Sequence, residues 1–125
     1  MIVVAAVIEE NNHFLLTRRQ PGVHLAGMWE FPGGKIGESE THAIALAREI
    51  REELDAGVEV GELAFHISHA YPDRAVELFF YRCRLVGTPC PMVGQEMRWV
   101  PRNELPSLSL PPADKGLIDL LVRRT

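Results

Sequence analysis

The sequence predicts an α/β domain in which helices cover the faces of a mixed β-sheet. Short apolar or alternating segments recur along the chain between clusters of Gly, Pro, Asn and Asp, as strands do. Two amphipathic helical segments stand at 41–55 and 113–124. A length of 125 residues suits one domain, spanning 1–125, with a single core.

The elements follow in order. Residues 2–9 and 13–19 read as strands of a hairpin, joined at Glu10-Asn11-Asn12. Residues 20–28, with Pro21, Gly22 and Gly27, read as a loop. Trp29-Glu30-Phe31 alternates as a short strand that Pro32-Gly33-Gly34 is expected to end. A helix is expected from about Thr41 to Asp55, capped by Ser39 or Thr41. Leu46, Ile50 and Leu54, with Ala43 and Ala47, form its apolar face. Residues 58–70 alternate, with a bulge expected near Gly61, and Pro72-Asp73 turns the chain into the strand at 75–86. Gly87 to Gly94 reads as a loop, Glu96 to Val100 as a last short strand, and Pro106 to Pro112 as an extended connector. Ala113 to Arg124 closes the chain as a helix with Leu117, Leu120 and Leu121 inward.

Composition narrows the function classes. Hydrophobic content of 46% and charged content of 24% are those of an ordinary globular protein. No apolar run reaches the length of a membrane span, and residues 1–8 read as a buried strand, not a signal peptide. A net charge of −4 argues against polymeric nucleic acid as a partner. Cys83 and Cys90 are too few for a disulfide framework and lack metal-site spacing, so a reducing cytoplasm is expected.

The segment 49–53 carries the chemistry. Glu49, Glu52 and Glu53 lie three and four residues apart, so a helix projects them together. Each like-charged pair at that spacing costs roughly 0.2–0.5 kcal/mol. One reading is a solvated face paired with Arg48 or Arg51. The other is a set of hard oxygen ligands for a divalent cation, Mg²⁺ with Mn²⁺ as a substitute.

From Gly34 the spacing is G-x5-E-x7-R-E-U-x-E-E, where U is aliphatic. Over residues 34–56 it resembles the Nudix box, the signature of hydrolases that cleave nucleoside diphosphates linked to another group. The resemblance implies the Nudix fold, an α/β/α sandwich around a mixed β-sheet. It implies metal binding by Glu49, Glu52, Glu53 and the Gly33 carbonyl, orientation of the carboxylates by Arg48, and Glu49 as a candidate base. Asp55 stands where the box carries glycine.

The similarity to MutT-type members of that family spans nearly the whole chain. It runs through Thr17-Arg18-Arg19, His24, Glu30-Phe31-Pro32-Gly33-Gly34-Lys35-Ile36, Pro72-Asp73-Arg74 and Pro111-Pro112-Ala113. Such members hydrolyse 8-oxo-dGTP to the monophosphate and pyrophosphate. The resemblance implies that Arg19 holds phosphate, that His24 and Glu30, Phe31, Pro32 and Gly33 line the nucleotide site, and that Arg74 approaches the base. Glu96 would supply a further metal ligand or base. Asp114 stands where those members carry asparagine. Asparagine donates and accepts, as 8-oxoguanine requires, whereas ionised aspartate only accepts. The cytidine-preferring relatives share Pro-Ala-Asp, so CTP, dCTP or a modified cytidine nucleotide is the alternative substrate. ADP-ribose or a dinucleotide, and a non-catalytic nucleotide sensor, rank below. Monomer and homodimer both remain open.

Overall fold

The structure, a computed structural model, describes residues 1–23 and 25–123. Its strands are β1 (Ile2–Glu10), β2 (His13–Arg18), β3 (Trp29–Glu30), β4 (Gly33–Lys35), β5 (Gly57–Tyr71), β6 (Arg74–Val86) and β7 (Met97–Pro101). Two helices, α1 (His42–Leu54) and α2 (Lys115–Val122), complete it with 3₁₀ turns at Arg102–Ser107 and Pro112–Asp114.

The seven strands form one mixed sheet with the order β3-β2-β1-β6-β5. β4 adds onto β1 and β7 onto β2. Only β1 and β6 run parallel; every other pair is antiparallel. The β1–β2 turn uses Asn11 and Asn12, both left-handed at φ 51 and 64, which suits a two-residue hairpin. The bulge expected near Gly61 is present: the β5–β6 register shifts between Val60 and Leu63 and again before Phe65.

β1 separates the two halves of the core. Val4, Ala6 and Ile8 pack beneath α1 with Leu15, Leu46, Ile50 and Leu54. Ala5 and Val7 face the other way, toward Phe14, Phe31, Phe80 and the α2 residues Leu117, Ile118 and Leu121. Period-2 alternation on a doubly covered strand produces this division, and the result is an α/β/α sandwich.

Several expectations are corrected. The short strand ends before Pro32, at Glu30, one residue earlier than expected, but Gly33–Lys35 then pairs with Val3–Ala5 as a separate strand, β4. A Cβ on Gly33 would lie 2.0 Å from the Val4 carbonyl oxygen, so only glycine permits that approach. Ala43 is exposed and Ala45 takes its place in the core. Leu120 is half-buried, with Ile118 inward beside Leu117 and Leu121. The connector expected over Pro106–Pro112 is extended only between its ends, which belong to the 3₁₀ turns Arg102–Ser107 and Pro112–Asp114, and Glu96 precedes β7. Arg124, the expected end of the last helix, lies outside the described residues.

Thr41 is the cap of α1, its hydroxyl accepting from Ile44 N at 3.2 Å. At the other end Asp55 adopts the left-handed conformation (φ 50, ψ 40), and its N–H bonds the Arg51 carbonyl at 3.1 Å. Asp55 thus makes the helix exit that glycine makes at lower cost.

Candidate active site

Arg48 organises the acidic face of α1. Its Nε donates to Glu40 Oε2 at 2.7 Å and its Nη2 to Glu40 Oε1 at 2.9 Å. Nη1 reaches both Glu49 Oε1 and Glu52 Oε1 at 3.0 Å, and Nη2 also reaches the Lys35 carbonyl. Glu40 further accepts from Gly37 N at 2.6 Å. The Arg48 hydrogen bonds hold the Glu40 carboxyl below the usual carboxylate range. One guanidinium thereby connects three carboxylates to the loop before the helix.

Glu53 turns inward. Burial pushes its carboxyl well above the usual range, and the hydrogen bond with Glu49 and the charges of Glu49, Glu30 and Glu52 push the same way. Gly34 makes room for the neighbouring Glu49: a Cβ there would lie 2.5 Å from the Glu49 carboxyl.

Glu53 also lines a cleft of about 470 Å³ beside the β-sheet. Val76, Leu78 and Phe80 of β6 form apolar lining; Arg19, Glu30, Tyr71, Arg74 and Asp114 contribute polar groups. Arg19 pairs with Glu30 at 2.8 Å. Burial raises the Glu30 carboxyl against the opposing pull of Arg19. Asp114 is 4% exposed. Burial, then the Glu30 charge, pushes its carboxyl up to about 7. Its side chain makes no capping hydrogen bond to α2, so a capping role does not account for it.

The cleft brings together Arg19, Glu30, Phe31, Gly33, Glu53, Arg74 and Asp114 of the expected residues. Phe31 is chiefly a core side chain, 3% exposed and edge-on to Phe80 at 5.9 Å. Pro32 is a correction: it is buried beside β1, where its carbonyl accepts from Ala6 N, and it does not line the cleft. Glu96 lies in a neighbouring groove, ion-paired to Arg18 at 3.1 Å, and does not line the main cleft. His24 lies outside the described residues. Sequence reasoning missed Tyr71, whose hydroxyl lies in the fields of Asp114 and Arg19, and Gln95.

Among the described residues no three acidic, histidine or cysteine side chains are arranged to enclose an ion. The donor set nevertheless suits a hard divalent cation. A half-buried carboxylate facing the charges of three more is an arrangement that positive charge would relieve, and all the side-chain donors are oxygens. The residues that would hold it are Glu49, Glu52 and Glu53, with the Gly33 carbonyl.

The acidic face of α1 thus stands beside a cleft of about 470 Å³ in an α/β/α sandwich. The chain belongs to the Nudix family: the NUDIX domain profile matches residues 3–120. It is therefore a Nudix hydrolase, a group that depends on divalent metals. It is 35% identical to an Escherichia coli K12 protein named 8-oxo-dGTP diphosphatase, over 98% of this chain and 95% of that protein. It is also 35% identical to the CTP pyrophosphohydrolase of Escherichia coli K12, over 94% of this chain and 87% of that one. A crystal structure of MutT protein from Methanosarcina mazei Go1 superposes with a TM-score of 0.88 at 26% identity, covering 98% of this chain and 93% of that chain.

Proposed function

We propose that this chain is a Mg²⁺-dependent nucleoside triphosphate pyrophosphohydrolase whose principal substrate is 8-oxo-dGTP, split to the monophosphate and pyrophosphate. Arg19 and Arg74 supply positive charge in the cleft for the triphosphate and the base end respectively. Arg48 holds Glu49 and Glu52 in orientation, and Glu49 is the candidate proton acceptor for the attacking water. A bound divalent ion offsets phosphate charge and activates water. Localisation in a reducing cytoplasm is supported by the free thiols of Cys83 and Cys90.

The observation that carries the base assignment is the buried Asp114 carboxyl, raised to about 7. In its protonated form it both donates and accepts, as asparagine does. That matches the N7–H donor and O6 acceptor of 8-oxoguanine. The ionised form accepts only and suits the N4 amine of cytosine. The same residue therefore supports a second reading, a cytidine triphosphate, which the similarity to a CTP pyrophosphohydrolase also favours.

A pyrophosphate-release panel tests both. It compares 8-oxo-dGTP, dGTP, CTP, dCTP, 5-methyl-dCTP and ADP-ribose by kcat/KM at low substrate concentration, with and without Mg²⁺. The first reading requires 8-oxo-dGTP to lead; a lead by CTP or dCTP selects the second. No magnesium-dependent release from any nucleotide would refute both.

A further inference from the structure

We infer that Gln95 is a positioning residue, fixing the last turn of α1 and through it the Glu53 carboxylate against the cleft. This rests on the reading of Glu53 as a metal-site carboxylate.

The last carbonyls of a helix have no intrahelical donors. In α1 the loop between β6 and β7 supplies them. Cys90 N donates to the Leu54 carbonyl at 2.8 Å and Met92 N to the Glu53 carbonyl at 2.9 Å. Gln95 Nε2 donates a second bond to the same Glu53 carbonyl at 3.0 Å, from 42 residues away in sequence. Its Oε1 accepts from Val93 N at 3.0 Å. Gln95 is only 9% exposed. Both ends of its amide are thus engaged by backbone, which marks it as a support and not a reacting group.

The segment is also anchored from the other side. Gln20 Nε2 bonds the Val93 carbonyl, and Arg18 N donates to the Glu96 carbonyl at 3.0 Å. The 93–96 segment therefore joins Arg18, at the end of β2, and Gln20 to the helix turn that carries Glu53, and Gln95 makes the bond to that turn. An outer support of this kind commonly changes metal affinity or activity by roughly 10–100-fold when lost.

The test uses Gln95→Met, neutral and of similar length, and Gln95→Glu, which keeps the acceptor for Val93 N but loses the amide donor. Wild type and Glu53→Gln are the references. The readouts are kcat and KM for 8-oxo-dGTP, Mn²⁺ affinity by electron paramagnetic resonance titration, and near-ultraviolet circular dichroism. Both Gln95 variants are expected to lose kcat and Mn²⁺ affinity by roughly 10–100-fold, with KM little changed and native dichroism. Wild-type kcat and Mn²⁺ affinity in either variant overturns the inference. If Gln95→Met does not fold, Gln95→Glu decides alone. Full turnover by Glu53→Gln would instead refute the metal-site reading, a separate outcome from an inactive Glu53→Gln beside an intact Gln95→Glu.

Discussion

Arg48 and Glu40, eight positions apart in sequence, form a two-bond ion pair at 2.7 and 2.9 Å that ties the loop before α1 to its acidic face. Only a planar guanidinium can make that fork and still reach Glu49 and Glu52. Arg48→Lys keeps the charge but loses the geometry. Steady-state kinetics should show kcat lowered by roughly 10–100-fold with the fold retained by circular dichroism.

The glycine pair separates stability from chemistry. A Cβ at Gly33 would meet the Val4 backbone oxygen at 2.0 Å, which cannot move without opening β1. Gly33→Ala should therefore destabilise the protein by about 1–3 kcal/mol or more in urea unfolding. A Cβ at Gly34 would meet the Glu49 carboxyl at 2.5 Å, the movable end of a side chain. Gly34→Ala should keep most of the stability and lose turnover.

Asp55 occupies left-handed space at φ 50, a conformation that favours glycine. Its ion pair with Arg51 is long, 3.8 Å, and exposed on both sides, so losing it matters little. Asp55→Gly should raise the unfolding free energy by about 0.5–1 kcal/mol, visible as a melting temperature higher by roughly 2–4 °C.

Asp114 links pH to both stability and selectivity. Its carboxyl is raised from 3.8 to about 7, so between those values the native state holds a proton that the unfolded state has released. This contribution to stability is present below about pH 4 and is lost as pH rises through 7, amounting to as much as ~4 kcal/mol. Asp114→Asn should flatten that part of the pH–stability profile. In the wild type, the kcat/KM ratio of 8-oxo-dGTP to CTP should fall as pH rises through 7. The ratio should stay level across that window in Asp114→Asn.

The acidic face was legible because helical spacing is local: Glu49, Glu52 and Glu53 project together wherever that helix packs. The exit at Asp55 was legible for the same reason. β4 was not, since Gly33-Gly34-Lys35 has no strand propensity and pairs only because β1 offers it an edge. Tyr71 and Gln95 were hidden because their roles arise from elements distant in sequence meeting at one cleft. Glu96, expected from the resemblance as a metal ligand or base, pairs instead with Arg18 in the neighbouring groove. Pairing between remote side chains leaves no periodic trace in a sequence.

The most direct measurement is Mg²⁺-dependent pyrophosphate release by Glu53→Gln, beside wild type, with folding confirmed by circular dichroism. The carboxylate cluster as a cation site predicts that release drops to background and that excess Mg²⁺ does not restore it. Wild-type release from the folded variant would contradict that assignment.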